Sequence, residues 1–168
     1  ADEVLKRSVE LIRQYERIFS LYDFDSQVSK LNREGKVEGA NAELIELIEF
    51  SKKVSIQSDG AFDITIQPLW ELYKEHFENE SQNDFSQEIK RTIGLVGSKN
   101  VVVDGDDVSF VVKNMAISFN GIAQGYITDK VAEYLKSQGF ENTLIDIGEY
   151  RASGPQSNNE PWRIGLLN

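Results

Sequence analysis

The sequence contains no cysteine and a single histidine, and no apolar run reaches the length of a transmembrane helix. The absence of cysteine excludes disulfides, thiolate zinc sites and cysteine nucleophiles. His76 has no second histidine with which to hold a metal, and its charged neighbours predict a surface side chain. No P-loop, no dinucleotide fingerprint after a strand and no Ser/His/Asp arrangement is present. Function therefore has to be sought in less familiar motifs.

The chain of 168 residues is strongly acidic, with 28 Asp and Glu residues, 18 Lys and Arg residues and a formal net charge of −10. This charge argues against binding to nucleic acid, which requires a basic face. It also argues against electrostatic attachment to a membrane, so peripheral or no membrane contact is expected. An anionic ligand would need compensation from helix N-termini, a few cations or a bound divalent metal.

Apolar periodicity predicts helices mainly in the first half of the chain and strands mainly in the second. The predicted helices are 3–20, 41–57 with Asn41 as the cap, 68–77, 86–95 and one from Gly121 to a C′ glycine at Gly139. The predicted strands are 61–67, a hairpin over 101–112 that turns at Asp104-Gly105, 115–119, 142–147, 149–153 and 162–167. Residues 21–40 are predicted to form a loop. This order indicates an α+β fold with helices packed on a mainly antiparallel sheet.

The chain length favours a single domain over residues 1–168. The clean alternation of apolar residues over 162–167 predicts an edge strand at the very end of the sequence. An unpaired edge strand is a liability for a folded protein. We therefore expect that this domain is incomplete and that a continuation would complete the sheet.

An aromatic and polar segment lies between the first two predicted helices. Within it, Tyr22 and Phe24 offer flat surfaces for a ring system, with Ser26 and Asn32 as neighbouring hydrogen-bonding groups. The alternative is a well-capped loop whose aromatic side chains pack onto the core, and composition alone favours that alternative.

Two further segments combine small residues with groups that suit a ligand. Gly60 and Ala61 permit close approach to the backbone, and the Asp63 carboxylate is able to accept from a ligand or, equally well, from turn amides. The corner from Gly121 to Gly125 leads into a helix, whose free N–H groups favour an anionic group. The segment 146–154 predicts either a β-bulge near a site or only a twist in the sheet.

Five motifs follow one another in a recognisable order. They read S-x-Y-x-x-x-S-x-x-S-x-L-N, S-D-G-A-F-D-I-T-I-x-P-L-W, N-G-I-A-Q-G-Y-I-T-D, L-I-D-I-G-E-x-R-A-S-G and P-W-R-I-G. Together they resemble the ApbE family of FAD:protein FMN transferases over roughly residues 3–168. Gln124 and the single glycine before Glu149, Gly148, are similar to the NosX-like branch, which is linked to nitrous oxide respiration.

The resemblance implies an ApbE-like, T-fold-related architecture and a particular reaction. Members of the family split FAD at its pyrophosphate, transfer the FMN half to a threonine hydroxyl of a target protein and release AMP. The expected cofactors are therefore FAD as substrate and Mg²⁺, and the expected partner is a respiratory flavoprotein with an acceptor threonine. The targets face the periplasm, so a periplasmic or exported location is expected.

The same resemblance assigns site residues without naming a catalytic one. It places cofactor contacts at Tyr22, Ala61, Phe62, Asp63, Ser118 and Gln124, and a backbone metal ligand at Gly121. Ser118 stands where many members have an aspartate that binds FAD, and Gln124 replaces a common lysine or glutamate.

The family's acidic metal ligands lie further along the chain than Asn168, and its first strand precedes the opening helix. The resemblance thus implies a single ApbE-like domain that is incomplete at the C-terminus and at the N-terminus, with weak or absent transferase activity in this chain alone. The alternatives are a non-catalytic FAD-binding or cofactor-delivery module, and a maturation factor for a nitrous oxide respiration complex. The sequence leaves the identity of the acceptor and the oligomeric state open.

Overall fold

A computed structural model of the chain describes residues 2–79 and 85–165. The helices are α1 (Asp2–Phe19), α2 (Gln27–Glu34), α3 (Ala42–Gln57), α4 (Gln67–Asn79), α5 (Phe85–Ile93) and α6 (Ala123–Ser137). The strands are β1 (Lys36–Val37), β2 (Val101–Asp104), β3 (Asp107–Phe110), β4 (Thr143–Asp146) and β5 (Tyr150–Ser153). Short 3₁₀ turns cover Ile64–Ile66 and Ser98–Asn100. The predicted α+β class with antiparallel pairing is confirmed.

The chain divides into two compact units. One contains Glu16–Gly121, and the other combines Ala1–Tyr15 with Ile122–Asn168. None of the helices in the described part of the chain is both long and apolar enough to cross a membrane.

The unit of Glu16–Gly121 contains a three-stranded antiparallel sheet in the order β1-β3-β2. Strands β2 and β3 form the predicted hairpin, with Val103 opposite Val108 and Asp104 opposite Asp107. Gly105 in the turn has a φ of +61°, a value that glycine adopts without steric cost. The three aspartates around this turn therefore form a hairpin connection, as predicted.

Helix α2 lies inside the segment predicted to be a loop, so that prediction is wrong. Ser26 is its N-cap and accepts from the Ser29 N–H, and Gly35 ends it with a φ of +74°. Val28 and Leu31 are buried on its inner face. A capping serine and a C′ glycine were visible in the sequence, but one helix of eight residues buries too few apolar positions to give a clear periodic signal.

The predicted strand over 115–119 is also wrong, because this segment pairs with a side chain. The Asn32 amide donates from Nδ2 to the Ile117 carbonyl at 2.9 Å and accepts at Oδ1 from the Ile117 N–H at 2.7 Å. A carboxamide can replace a neighbouring peptide group in this way because it carries both a donor and an acceptor. The next N–H, that of Ser118, donates to the Ile64 carbonyl at 2.8 Å.

Residues 61–67 form a capped turn and not the predicted strand. Asp63 is the N-cap of the 3₁₀ turn and accepts from the Thr65 N–H. An aspartate that bonds to the backbone two residues on offers that backbone an alternative to a sheet ladder. The turn then continues into α4, which confirms the helix predicted over 68–77.

The core of this unit is formed by side chains from α2, α3, the sheet and the irregular segment before α6. Buried members include Val28, Leu31, Leu44, Leu47, Ile48, Ile64, Val101, Val108, Met115, Ile117 and Phe119. Phe19 and Phe119 meet edge to face with their ring centroids 5.4 Å apart. Asn41 caps α3 as predicted, accepting from the Glu43 N–H.

In the other unit, α6 packs against the antiparallel pair β4–β5. Its core cluster consists of Val131, Ala132 and Ile145, with Leu11, Ile12, Ile127, Leu135 and Ile147 packed around it. Gly139 follows α6 with a φ of +86°, which confirms the predicted C′ glycine. Residues 162–165 belong to no strand. They follow a turn in which the Gln156 N–H donates to the Glu160 carbonyl. The rest of the predicted strand, 166–168, lies outside the described residues.

Replacing Asn32 tests the pairing of a side chain with Ile117. Asn32→Ala leaves a buried N–H and a buried carbonyl without partners, so we expect the free energy of unfolding to fall by about 2 kcal/mol. Gln57→Ala, at an exposed helix position, is the control and is expected to change it by less than about 0.5 kcal/mol. Chemical denaturation without ligand measures both. Equal stability of the two variants would contradict the pairing.

Candidate functional site

The loop that carries Tyr22 is held by hydrogen bonds from serine side chains. The Ser20 hydroxyl accepts from the N–H groups of Tyr22 and Asp23, at 3.1 and 3.2 Å. The Ser20 carbonyl in turn accepts from the hydroxyls of Ser26 and Ser29. These contacts fix the backbone of the loop at the start of α2, so the position of Tyr22 is defined without any core contact from its ring.

Both aromatic side chains of the loop face outward. Tyr22 is 93% exposed and Phe24 is 70% exposed, so the expectation that they pack onto the core is wrong. The Arg33 guanidinium lies 4.2 Å from the centre of the Phe24 ring and donates to the Phe24 carbonyl at 3.2 Å. Arginine thereby holds Phe24 in place, while Tyr22 keeps a free aromatic surface.

A groove of about 460 Å³ opens beside this loop. It is lined by Leu21, Tyr22, Phe24, Ser29, Asn32, Arg33, Gln67, Glu71 and Ala116. Gln67 donates to the Glu71 carboxylate at 2.8 Å, which orders the α4 side of the groove. Aromatic walls with a few fixed donors and acceptors suit a planar heteroaromatic ligand.

The Asp63 carboxylate is the centre of a hydrogen-bond network. Oδ1 accepts from the N–H and the hydroxyl of Thr65 at 2.8 and 2.6 Å. Oδ2 accepts from the Ser98 N–H at 2.9 Å and lies 3.5 Å from the Ser55 hydroxyl. The Thr65 hydroxyl also accepts from the Gly97 N–H at 2.6 Å. Both oxygens are thus used within the protein, and a contact from Asp63 to a nucleotide stays a prediction.

The A-F-D segment and Gly121 lie next to each other. The Ser58 side chain and carbonyl bond to the N–H groups of Phe62 and Ala61, which places the segment directly after α3. A Cβ at Gly121 would lie 3.6 Å from the Phe62 ring, an ordinary contact distance. Ser118, the predicted FAD contact before this corner, is buried, and its hydroxyl accepts from the Asn120 N–H at 3.2 Å.

Gln124, the remaining predicted contact, belongs to the other unit and holds the turn between β4 and β5. Its Nε2 donates to the Ile147 carbonyl at 3.3 Å. Gly148 has a φ of +97°, and a Cβ at this position would overlap the Gln124 amide. Asp129 and Arg151 form an ion pair at 2.9 Å, a second link between α6 and β5. The segment predicted to be a bulge or a twist is therefore a hairpin turn fastened to α6.

The described residues contain no group of three or more His, Cys, Asp or Glu side chains that could hold a metal. The metal ligand predicted at Gly121 would be a backbone oxygen, and it stays a prediction. His76 differs from the expected surface side chain, because its ring is half-buried and stacks on Phe85 with centroids 3.8 Å apart.

Shifted pKa values are found in an exposed ion pair, formed by Lys36 in β1 and Glu38 directly after this strand. The hydrogen bond to Glu38, together with its charge, raises the pKa of Lys36. The same contact lowers the pKa of Glu38. The two groups lie 2.6 Å apart, but solvent screens an exposed pair, so this contact carries little stability.

The structure is that of an α+β protein with a surface groove lined by aromatic and polar side chains. The ApbE family model matches residues 2–168. The chain belongs to the ApbE family.

Relatives with assigned activities agree with this membership. The chain is 30% identical over 170 residues to an FAD:protein FMN transferase of Klebsiella pneumoniae, covering 98% of this chain and 52% of the relative. It is 27% identical over 162 residues to the FAD:protein FMN transferase of Vibrio cholerae, covering 93% of this chain and 48% of the relative. The chain thus spans about half the length of these relatives.

Solved structures show the same architecture. The apo form of the flavinyl transferase ApbE from Pseudomonas stutzeri superposes with a TM-score of 0.84 at 29% identity, over 99% of this chain and 52% of that chain. The ApbE protein of Thermotoga maritima gives a TM-score of 0.83 at 26% identity, over 99% of this chain and 56% of that chain. The predicted ApbE-like fold is confirmed.

A conservative change at Asp63 tests whether its carboxylate organises the backbone segments at Thr65 and Ser98. In Asp63→Asn the amide nitrogen faces a donor, either Ser98 N–H or Thr65, so we expect a loss of about 2–3 kcal/mol of folding free energy. Asp106→Asn makes the same change in an exposed turn and is expected to cost less than about 0.5 kcal/mol. Denaturant titrations of both variants give the comparison. If Asp63→Asn does not change the folding free energy, the Asp63 carboxylate does not organise these segments.

A double-mutant cycle tests the contact between Gln124 and Gly148. Gly148→Ala strains a left-handed residue by about 1–2 kcal/mol and displaces the Gln124 amide. In a Gln124→Ala background only the strain remains, so the penalty should shrink by about 0.5–1 kcal/mol.

Gly139→Ala is the matched control for this cycle, because Gly139 has a φ of +86° and open space around its missing side chain. Its penalty should be the same in both backgrounds when measured by thermal denaturation. A Gly148→Ala penalty that does not depend on residue 124 would show that the two residues are not coupled.

Proposed function

We propose that the intact protein is an FAD:protein FMN transferase and that the groove at Tyr22 receives the flavin ring of its substrate. The observation that carries the proposal is an outward-facing aromatic ring in a groove of apolar and polar side chains, found in a chain of the ApbE family. Tyr22 is the most exposed aromatic side chain among the described residues, at 93%. The activity of the relatives, FAD:protein FMN transferase, supplies the substrate class.

In this proposal, Tyr22 stacks on the flavin ring. Polar side chains of the groove form hydrogen bonds to the edges of that ring. Asn32 is already committed to Ile117, so the free donors are those of Arg33 and Gln67 that their internal contacts leave unused. Ala116 lines the groove, and the chain from Ala116 to Gly121 spans at most about 18 Å. The nucleotide part of FAD would extend along this segment towards the glycine corner.

We propose that the reaction is a displacement at the phosphorus of the FMN half. A threonine oxygen of the acceptor forms the new bond, the bond to the AMP oxygen breaks, and the hydroxyl proton leaves with a base. Magnesium dependence is part of the proposal, because a divalent ion neutralises a pyrophosphate. The donor set of the described residues does not by itself fit such an ion, so no step of the mechanism is derived through it.

The proposed setting is a respiratory flavoprotein target that faces the periplasm, with this protein periplasmic or exported. Gln124 and Gly148, which interlock in the structure, are the residues that resemble the NosX-like branch. On that resemblance we propose a role in nitrous oxide respiration.

A second candidate is an FAD-binding module that stores or delivers the cofactor without chemistry. It is favoured by one observation, namely that both Asp63 carboxylate oxygens and the Gln124 Nε2 form hydrogen bonds within the protein. In the transferase proposal, these residues shape the site without touching FAD. The two candidates differ in whether AMP is released.

The direct test incubates the intact protein with FAD, Mg²⁺ and an acceptor domain that carries the target threonine. Transferase activity predicts equimolar AMP and in-gel flavin fluorescence on the acceptor, both lost when the acceptor threonine is replaced by valine. Flavin binding that survives chelation without AMP release would support the storage module. No binding of FAD at all would end both proposals.

Substitutions of Tyr22 test the position of the flavin. Tyr22→Ala removes the stacking surface and is expected to weaken FAD binding by about 2- to 10-fold, whereas Tyr22→Phe keeps the ring and should bind almost normally. Phe50→Ala, at another exposed aromatic side chain on α3, is the control and should leave binding unchanged. Quenching of flavin fluorescence gives the dissociation constants. Equal losses in Tyr22→Ala and Phe50→Ala would contradict the groove as the flavin site.

A further inference from the structure

We propose that Asn120 is a site of spontaneous deamidation that places a new negative charge at the glycine corner. Asn120 and Gly121 form an Asn-Gly pair, and each of the other asparagines is followed by a residue with a side chain or ends the chain. A glycine on the C-terminal side gives the least steric hindrance to ring closure, because no Cβ shields its nitrogen. The sequence thus singles out one asparagine.

The reaction requires only water. The Gly121 backbone nitrogen attacks the Asn120 side-chain carbon, a new C–N bond closes a succinimide, and the bond to the side-chain nitrogen breaks. Ammonia leaves with the proton of the attacking N–H. Water then opens the ring at either carbonyl, and the product is aspartate or isoaspartate.

The structure leaves both reacting groups accessible. Asn120 and Gly121 are exposed, and α6 begins only at Ala123, so the Gly121 nitrogen is not part of the helical hydrogen-bond ladder. Neither this nitrogen nor the Asn120 side-chain amide bonds to any residue in 2–79 or 85–165. The contact that does involve Asn120 runs from its own N–H to the Ser118 hydroxyl and uses neither of the two reacting groups.

Other exposed asparagines provide internal references. Asn114 is followed by Met115, whose buried side chain blocks closure, and Asn142 is followed by the β-branched Thr143. Exposure alone is therefore not enough for the reaction, and these two positions should keep their amides while Asn120 loses its own.

The product differs from the original corner in charge and in geometry. The formal net charge falls from −10 to −11, because one further carboxylate joins the 28 acidic groups. Isoaspartate also adds one atom to the main chain between Ser118 and Gly121, which moves the Gly121 carbonyl. The effect on binding rests on the proposed function. If FAD binds at this site, the added charge repels its phosphates and weakens its binding.

The modification is tested by ageing the folded protein in a mildly alkaline buffer at body temperature and mapping its peptides by mass spectrometry. We expect the peptide with Asn120 to gain the mass difference of an acid over an amide within days, with isoaspartate as the larger product. Labelling by isoaspartyl methyltransferase identifies that product. If the amide at Asn120 lasts as long as those at Asn114 and Asn142, the proposal is overturned.

Two variants separate the modification from its consequence. Asn120→Gln, which closes a less favourable ring, should abolish the acidic form on ion exchange. Asn120→Asp reproduces the direct product and should bind FAD about 3- to 10-fold more weakly than the fresh protein. Unchanged affinity in Asn120→Asp would overturn the effect on binding, and an acidic form that persists in Asn120→Gln would overturn the site. Failure of the fresh protein to bind FAD would instead count against the proposed function.

Discussion

The unit of Glu16–Gly121 depends on how the Asp63 carboxylate is satisfied. Four protein groups converge on its two oxygens, and they come from α3, from the 3₁₀ turn that Asp63 itself caps and from the segment before β2. A half-buried carboxylate with these partners fixes the turn in one conformation, because any other arrangement would leave a charged group poorly bonded. The Ile64 carbonyl is thereby placed to receive the Ser118 N–H, which aligns the segment that leads to the glycine corner.

This arrangement separates residues that shape the candidate site from residues that face a ligand. Asp63 and Asn32 bond to the protein itself and set the course of the backbone, one beside Ile64 and the other beside Ile117. Tyr22 is different, because its backbone is fixed by serine side chains while its ring faces solvent. The ApbE motifs therefore contain both residues that order the backbone and a residue whose ring is left exposed.

The sequence was sufficient to predict the elements whose apolar residues recur at regular spacing. Helices α1 and α3 and the hairpin β2–β3 follow from apolar spacing, from the Asn41 cap and from the Asp104-Gly105 turn. It was not sufficient where a side chain bonds to distant backbone. The segments 61–67 and 115–119 have the composition of strands, but Asp63 and Asn32 take over the hydrogen bonds that a ladder would make. The outward position of Tyr22 was equally hidden, since aromatic residues in a loop are found both on cores and at sites.

Amide hydrogen exchange of the ligand-free protein tests the central role of Asp63 most directly. If the network around its carboxylate is a rigid framework, the N–H groups of Thr65, Ser98 and Ser118 will exchange as slowly as those paired between β2 and β3. Exchange at these three positions as fast as at the exposed Asn158 N–H would show that the network is not a rigid framework, and would contradict this account.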